Sequence, residues 1–169
     1  MNVTIHQKAL IVDVQDEDEM EQLGRALATC LGPGSVVGLN GPLGSGKTRL
    51  ARSIAEAFKV PAEAVSSPTF VLIQEYEGTL PIYHFDTYRL RSAEEFRALG
   101  PSEYFDAQGV SLVEWADRVA QELPDRAWRV AIEATGERTR RVVLQPPESD
   151  LMHALARDLA CFDGGQGAS

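Results

Sequence analysis

Gly41-Pro42-Leu43-Gly44-Ser45-Gly46-Lys47-Thr48 is the stretch around which the rest of the chain is read. It fits G-x-x-x-x-G-K-[ST], a loop whose backbone N–H groups cradle phosphate oxygens. The residue types follow from that task. Gly41, Gly44 and Gly46 permit tight turns and close approach of backbone to an anion. Lys47 carries a cation able to reach β and γ phosphates, and Thr48 offers a hydroxyl to Mg²⁺. The flanks agree. Ser35-Val36-Val37-Gly38-Leu39-Asn40 reads as a buried strand leading in. Thr48 to Phe58 reads as a helix leading out, with Leu50, Ile54, Ala57 and Phe58 at helical spacing. The positive end of that helix adds to an anion site. A plain Gly-rich turn before a surface helix would leave Lys47-Thr48 unexplained. Gly41, Leu43, Gly44, Ser45, Gly46, Lys47 and Thr48 are therefore the candidate nucleotide contacts.

With 169 residues, 44% of them hydrophobic, the chain is expected to form one domain over residues 1–163, followed by a flexible Gly-rich tail at 164–169. Its net charge of −9 disfavours direct binding to RNA or DNA. Cys30 and Cys161 sit in apolar helical patterns, and no Cys/His metal spacing exists. The chain shows no basic-then-apolar leader and no apolar run near the ~20 residues a membrane helix needs. A cytoplasmic protein without membrane or DNA partners is expected.

Along the chain, residues 3–14 hold one strand candidate centred on Ala9-Leu10-Ile11-Val12. Asp16-Glu17-Asp18-Glu19 opens a helix, its acids suiting the dipole and reading as a solvated cap, with a nucleotide contact as the alternative. Val65 to Phe70 follows the loop helix, at a position where a switch segment senses the γ-phosphate in many nucleotide-binding proteins, and Thr69 is its candidate sensor. Val71 to Tyr76 and Leu80 to Phe85 read as a hairpin that delivers His84 and Asp86 to one face. Val110 to Val113 is a further apolar strand and stops on Glu114-Trp115. Asp86 and Glu114, each at a strand end, are placed to reach one cation, or one of them to orient a water; either could instead be a capping acid. Trp115 either packs in the core or lies against a base, and His84 reads more readily as structural than catalytic. Ser92 to Glu95 is a capping box, Ala116 to Leu123 reads as a helix, and Ser149 to Phe162 as a last amphipathic helix. Arg138, Arg140 and Arg141 lie at or beside a hairpin tip that reads as solvated, with contact to nucleotide or a partner as the alternative.

In this order, Gly41–Thr48, Ser67-Pro68-Thr69-Phe70, His84-Phe85-Asp86-Thr87-Tyr88-Arg89 and Glu114-Trp115 resemble the TsaE (YjeE) family of bacterial P-loop ATPases, over about residues 10 to 145. The resemblance implies ATP and Mg²⁺ as cofactors and slow hydrolysis alone. It implies action with TsaD and TsaB in threonylcarbamoyladenosine modification of ANN-decoding tRNAs, with the tRNA held mainly by those partners. It also implies Lys47 and Thr48 as phosphate and magnesium residues, Asp86 and Glu114 as the essential acids with Glu114 linked to magnesium, and Thr69 as part of a switch-like loop. Pro42 stands where the family often has an acid, Thr87 where it has Leu, and Ala116-Asp117 where it has Pro-Glu.

The expected fold is α/β, a three-layer P-loop NTPase fold with a mainly parallel central sheet, helices on both faces and antiparallel edge strands. A small-molecule or nucleoside kinase is a rival reading, though no Arg-rich lid pattern follows Glu114. A GTP switch is another, but neither asparagine, Asn2 or Asn40, precedes a lysine. A regulatory module that binds ATP without needing hydrolysis shares every nucleotide residue.

Overall fold

The computed structural model describes residues 1–65 and 72–163. Apart from Val65, the expected switch segment, Thr69 included, and the tail at 164–169 lie outside the described residues. Eight strands form one sheet in the order β1-β2-β8-β7-β3-β6-β5-β4. They are β1 (Asn2–His6), β2 (Ala9–Val14), β3 (Ser35–Asn40), β4 (Ile73–Tyr76), β5 (Ile82–Asp86), β6 (Val110–Glu114), β7 (Trp128–Ala134) and β8 (Arg140–Gln145).

The sheet is mixed, which corrects the mainly parallel expectation. Only the central run β7–β3, β3–β6 and β6–β5 pairs in parallel. The pairs β1–β2, β2–β8, β8–β7 and β5–β4 are antiparallel. Connection length is the reason. Short links such as Gln7-Lys8 and 135–139 can only reverse the chain, whereas parallel neighbours need a crossover of a dozen residues or more. The single strand expected over 3–14 is likewise a hairpin, broken where Gln7 takes φ 53°.

Helices cover both faces. On one lie α1 (Glu17–Thr29), α2 (Lys47–Ala57) and α5 (Ser149–Asp163). Their Leu23, Leu27, Leu50, Ile54, Leu155 and Leu159 join Val37, Leu39, Leu112, Val130 and Leu144 in the larger core. On the other lie α3 (Ala93–Ala98) and α4 (Pro101–Phe105), where Phe96 and Phe105 pack with Val36, Phe85 and Val113. The period of two along a strand sorts the side chains. Ile82 and Leu112 enter the larger core while Phe85 and Val113 enter the smaller one. His84, Asp86 and Glu114 therefore share the face that carries α2.

Local signals mostly act as read. Asp16 caps α1 by accepting from Glu19 N–H at 2.9 Å, and Ser92 caps α3. The helix expected over 116–123 is only a 3₁₀ turn at Ala116–Val119. Trp115, in the left-handed region at φ 58°, precedes it, and the side chain of Asn40 takes the Asp117 N–H at 2.7 Å. These contacts tighten the chain before an α-helix can propagate.

On the site side α1 packs against α2 at Gly24. A Cβ there would stand 2.6 Å from Ser53 Cβ and 3.3 Å from the Leu50 carbonyl oxygen. Gly24→Ala should therefore lower stability by about 1–3 kcal/mol in urea denaturation. A rise of about 1 kcal/mol, the gain alanine gives in an uncrowded helix, would contradict this reading.

Candidate nucleotide-binding site

The phosphate-loop sequence spans from the end of β3 to the start of α2. Gly41 takes φ 143°, and a Cβ on it would meet the Ile132 carbonyl oxygen of β7 at 2.3 Å, so glycine is required there. Gly46 caps α2 at φ 112°, with no side-chain hydrogen bond at the helix start. The free N–H groups of that first turn are a site for an anion. Arg140 on β8 braces the loop, donating through Nε to Ser45 O at 3.0 Å and through Nη2 to Gly44 O at 3.4 Å. Its Nη1 also donates to Gly136, Glu137 and Thr139 carbonyls, so one guanidinium joins the β7–β8 tip to the loop.

Two buried carboxylates face the loop. Asp86 and Glu114 end the adjacent parallel strands β5 and β6 and are register partners on one face. Each is 3% exposed or less. Like charges opposite one another across strands are unfavourable, so this pair calls for positive charge. Glu114 is held at both oxygens: His84 Nε2 donates to Oε1 at 2.8 Å, and Thr48 Oγ1 donates to Oε2 at 2.9 Å. His84 Nδ1 is buried without a partner among the described residues, which places the ring proton on Nε2. Asp86 Oδ1 accepts from Tyr88 N–H at 2.9 Å. Among the described residues no three His, Cys, Asp or Glu side chains form a closed metal cage. One hydroxyl with two carboxylates is the donor set that suits Mg²⁺, which keeps waters and takes its remaining ligands from phosphate oxygens.

Lys47 supplies a cation that feels both carboxylates. Its Nζ donates to Gly41 O at 2.7 Å and Pro42 O at 2.9 Å, and sits 3.8 Å from the centre of the Trp115 ring. Burial pushes the Lys47 ammonium below its ordinary pKa, opposed by the negative charges of Glu114, Asp86 and Asp117. Trp115 in turn lies 4.9 Å from the Tyr88 ring. These groups line a cleft of about 380 Å³ that includes 43–49, Asp86, Glu114 and Trp115.

A family model described as "Threonylcarbamoyl adenosine biosynthesis protein TsaE" matches residues 14–142. The chain belongs to the TsaE family. It is 39% identical over 126 residues to the "tRNA threonylcarbamoyladenosine biosynthesis protein TsaE" of Bacillus subtilis, covering 74% of this chain and 78% of that one. To the protein of the same name from Treponema pallidum it is 36% identical over 121 residues, covering 72% and 89%. A solved structure titled "Crystal structure of Bacillus subtilus YdiB" superposes with a TM-score of 0.73 at 31% identity, covering 94% of this chain and 99% of that one. The α/β architecture with its mixed sheet is thus shared with that structure.

Within the family fold, the expected residues Gly41, Leu43, Gly44, Ser45, Gly46, Lys47, Thr48, Asp86, Glu114 and Trp115 come together around one cleft. Thr69 lies outside the described residues. Three readings change. Trp115 is at the cleft and only half-buried, not in the core, because its left-handed backbone turns the ring toward Lys47. The arginine-bearing tip is not simply solvated, since Arg140 is spent on the phosphate loop and Arg138 lines the cleft. The acidic start of α1 is not only a cap, since Asp16, Glu17 and Met20 line the cleft too. Nothing in the local sequence joins α1 or the tip to the loop, because those contacts form between distant segments. His84 is the partner of Glu114, and its period-two spacing from Asp86 was the available signal.

His84→Leu should leave Glu114 Oε1 buried without its donor and cost about 1–3 kcal/mol in urea denaturation. His84→Gln, which keeps an N–H donor, should cost clearly less; equal costs would count against the bond. Lys47 also has a pH signature in the unliganded protein. The folded state releases its proton more readily than the unfolded chain, so stability should rise with pH from the lowered folded pKa up to about 10.5. Comparing denaturation of wild type and Lys47→Met at pH 7 and pH 10 isolates the effect. The variant should lack that part of the rise, and parallel pH profiles would refute it.

Proposed function

We propose that this chain is the ATP-binding and ATP-hydrolysing subunit of a tRNA threonylcarbamoyladenosine modification system, acting in the cytoplasm with TsaD and TsaB and meeting tRNA through them. Membership of the TsaE family supports the pathway. One observation carries the chemistry: Thr48, the last residue of a P-loop sequence, is hydrogen-bonded to a buried carboxylate whose strand neighbour is a second acid. That arrangement fits a P-loop NTPase and needs a cation to be electrostatically complete.

In this reading the backbone N–H groups from Leu43 to Thr48 hold the β-phosphate. Lys47 exchanges the Gly41 and Pro42 carbonyls for phosphate oxygens, gaining a partner of full opposite charge. Thr48 and Glu114 are the residues to hold Mg²⁺, with Asp86 beside them. When bound, Mg²⁺ supplies neutralisation of the phosphate charge. His84 keeps Glu114 in one orientation throughout. Asp86, fixed by the Tyr88 N–H, is available to orient the attacking water. Catalysis is then positional and electrostatic, in-line attack of water on the γ-phosphate with these charges already in place. The Thr69 segment serves as the switch that senses the γ-phosphate.

Hydrolysis by the purified chain should be slow and should rise sharply when TsaB, TsaD and tRNA are added. Glu114→Gln should lower the stimulated rate by about 100-fold while ATP still binds. Phosphate transfer to an added small-molecule acceptor would instead make the chain a kinase. Intact tRNA modification with hydrolysis-dead Glu114→Gln would make it an ATP-dependent regulatory module.

A further inference from the structure

The outer limb of the phosphate loop is not held by packing. Pro42, Leu43 and Gly44 are exposed, Leu43 to 85%. Gly44 lies in the left-handed region at φ 76°, and a Cβ on it would meet nothing within 4 Å. Two cations hold this limb by its carbonyls. Lys47 takes Gly41 O and Pro42 O, and Arg140 takes Gly44 O and Ser45 O. In the nucleotide reading Lys47 leaves its two carbonyls for phosphate oxygens. Arg140 is then the side chain whose hydrogen bonds, among the described residues, still tie the limb to the sheet.

That hold has a direction. In a trans peptide unit the C=O and the N–H point opposite ways. Turning Ser45 O to Arg140 Nε at 3.0 Å therefore turns the Gly46 N–H away from the arginine, and this N–H has no partner among the described residues. The Gly44–Ser45 unit is fixed at both ends, its carbonyl by Arg140 and its N–H by Pro42 O at 3.1 Å. The arginine itself is well anchored. It starts β8 opposite Ala134 of β7, and its Nη1 donates to the Gly136, Glu137 and Thr139 carbonyls. The Thr135 N–H closes the same tip on Thr139 O at 3.1 Å. All of these bonds end on backbone carbonyls, so the guanidinium shapes the loop and is not held out to a ligand.

We propose that Arg140 is the positioning residue of the phosphate loop, keeping the loop N–H groups turned to the anion while Lys47 changes partners. The proposal rests on the nucleotide reading above. An anion site made of peptide N–H groups is strong only if those groups are already aimed, because aiming them on binding costs conformational entropy. The fork supplies the aim. Its planar donors reach loop and tip together, which a lysine ammonium of the same charge does not. Arg140 thus acts on the polyphosphate through the peptide units of Gly44, Ser45 and Gly46, and it serves α, β and γ phosphates without distinguishing a nucleotide from a bare polyphosphate.

Calorimetric titration of the full chain with ATP, ADP and inorganic tripolyphosphate, each with Mg²⁺, tests it. Arg140→Lys should weaken all three by a similar factor, about tenfold. The KM for ATP hydrolysis should rise with it, and kcat should stay within about threefold, as for loss of uniform binding. A protein that merely folds less well would show fewer sites of unchanged affinity. Arg141→Lys is the control on the same strand: it pairs with Asp13 away from the loop and should bind as wild type does. Wild-type affinities in Arg140→Lys, or equal weakening in Arg141→Lys, would overturn the proposal. Weakening of ATP alone would make Arg140 a γ-phosphate contact, and weakening of ATP and ADP without tripolyphosphate a nucleoside contact; either overturns it. So would a fall in kcat at unchanged KM. If wild type binds none of the three ligands, the nucleotide reading beneath fails; if it binds them and Arg140→Lys matches it, only the positioning role fails.

Discussion

Glu114 is the junction of this structure. Its carboxylate is buried at the end of β6 and joined to β5 through His84 and to α2 through Thr48. A buried carboxylate without partners would cost several kcal/mol, so the two donors hold three elements in one arrangement. The backbone adds to this: Thr87 donates through its hydroxyl to Glu114 O and Trp115 O. The chain after β5 is thereby tied to the chain after β6, and the second acid, Asp86, is held beside the first.

From that junction the site follows outward. The turn after Glu114 holds Trp115 in a left-handed conformation, which costs of order 1–3 kcal/mol for a non-glycine residue. The Thr87 and Asn40 contacts offset it. The strained turn sets the indole over Lys47, where its face meets an ammonium whose other partners are two backbone carbonyls. Lys47 is therefore partly desolvated and only weakly compensated. A phosphate is a stronger partner than anything it contacts in the unliganded protein.

The opposite flank is organised by Arg140. A single planar group with five donors reaches the phosphate loop on one side and the β7–β8 tip on the other. Lysine has the charge but not the fork, and would not span both. Arg141, its neighbour on the strand, points elsewhere and pairs with Asp13 of β2 at 2.8 Å. Adjacent arginines thus serve different faces, one building the cleft and the other stapling the antiparallel edge.

The sequence by itself determined the phosphate loop, because Gly41, Gly44, Gly46, Lys47 and Thr48 are contiguous and their chemistry is local. It also determined the two acid-terminated strands, since an apolar run that stops on Asp86 or Glu114 is readable within six residues. The caps of α1 and α3 were legible for the same reason. Tertiary structure alone decided that Asp86 and Glu114, expected at one site, are register partners on adjacent strands, that His84 belongs to Glu114, that Trp115 faces Lys47, and that Asp16 and Arg138 line the cleft. It also decided that β2 pairs antiparallel with the distant β8, whereas the other antiparallel pairs are local hairpins. Those contacts join segments tens of residues apart, and no local periodicity encodes which two will meet.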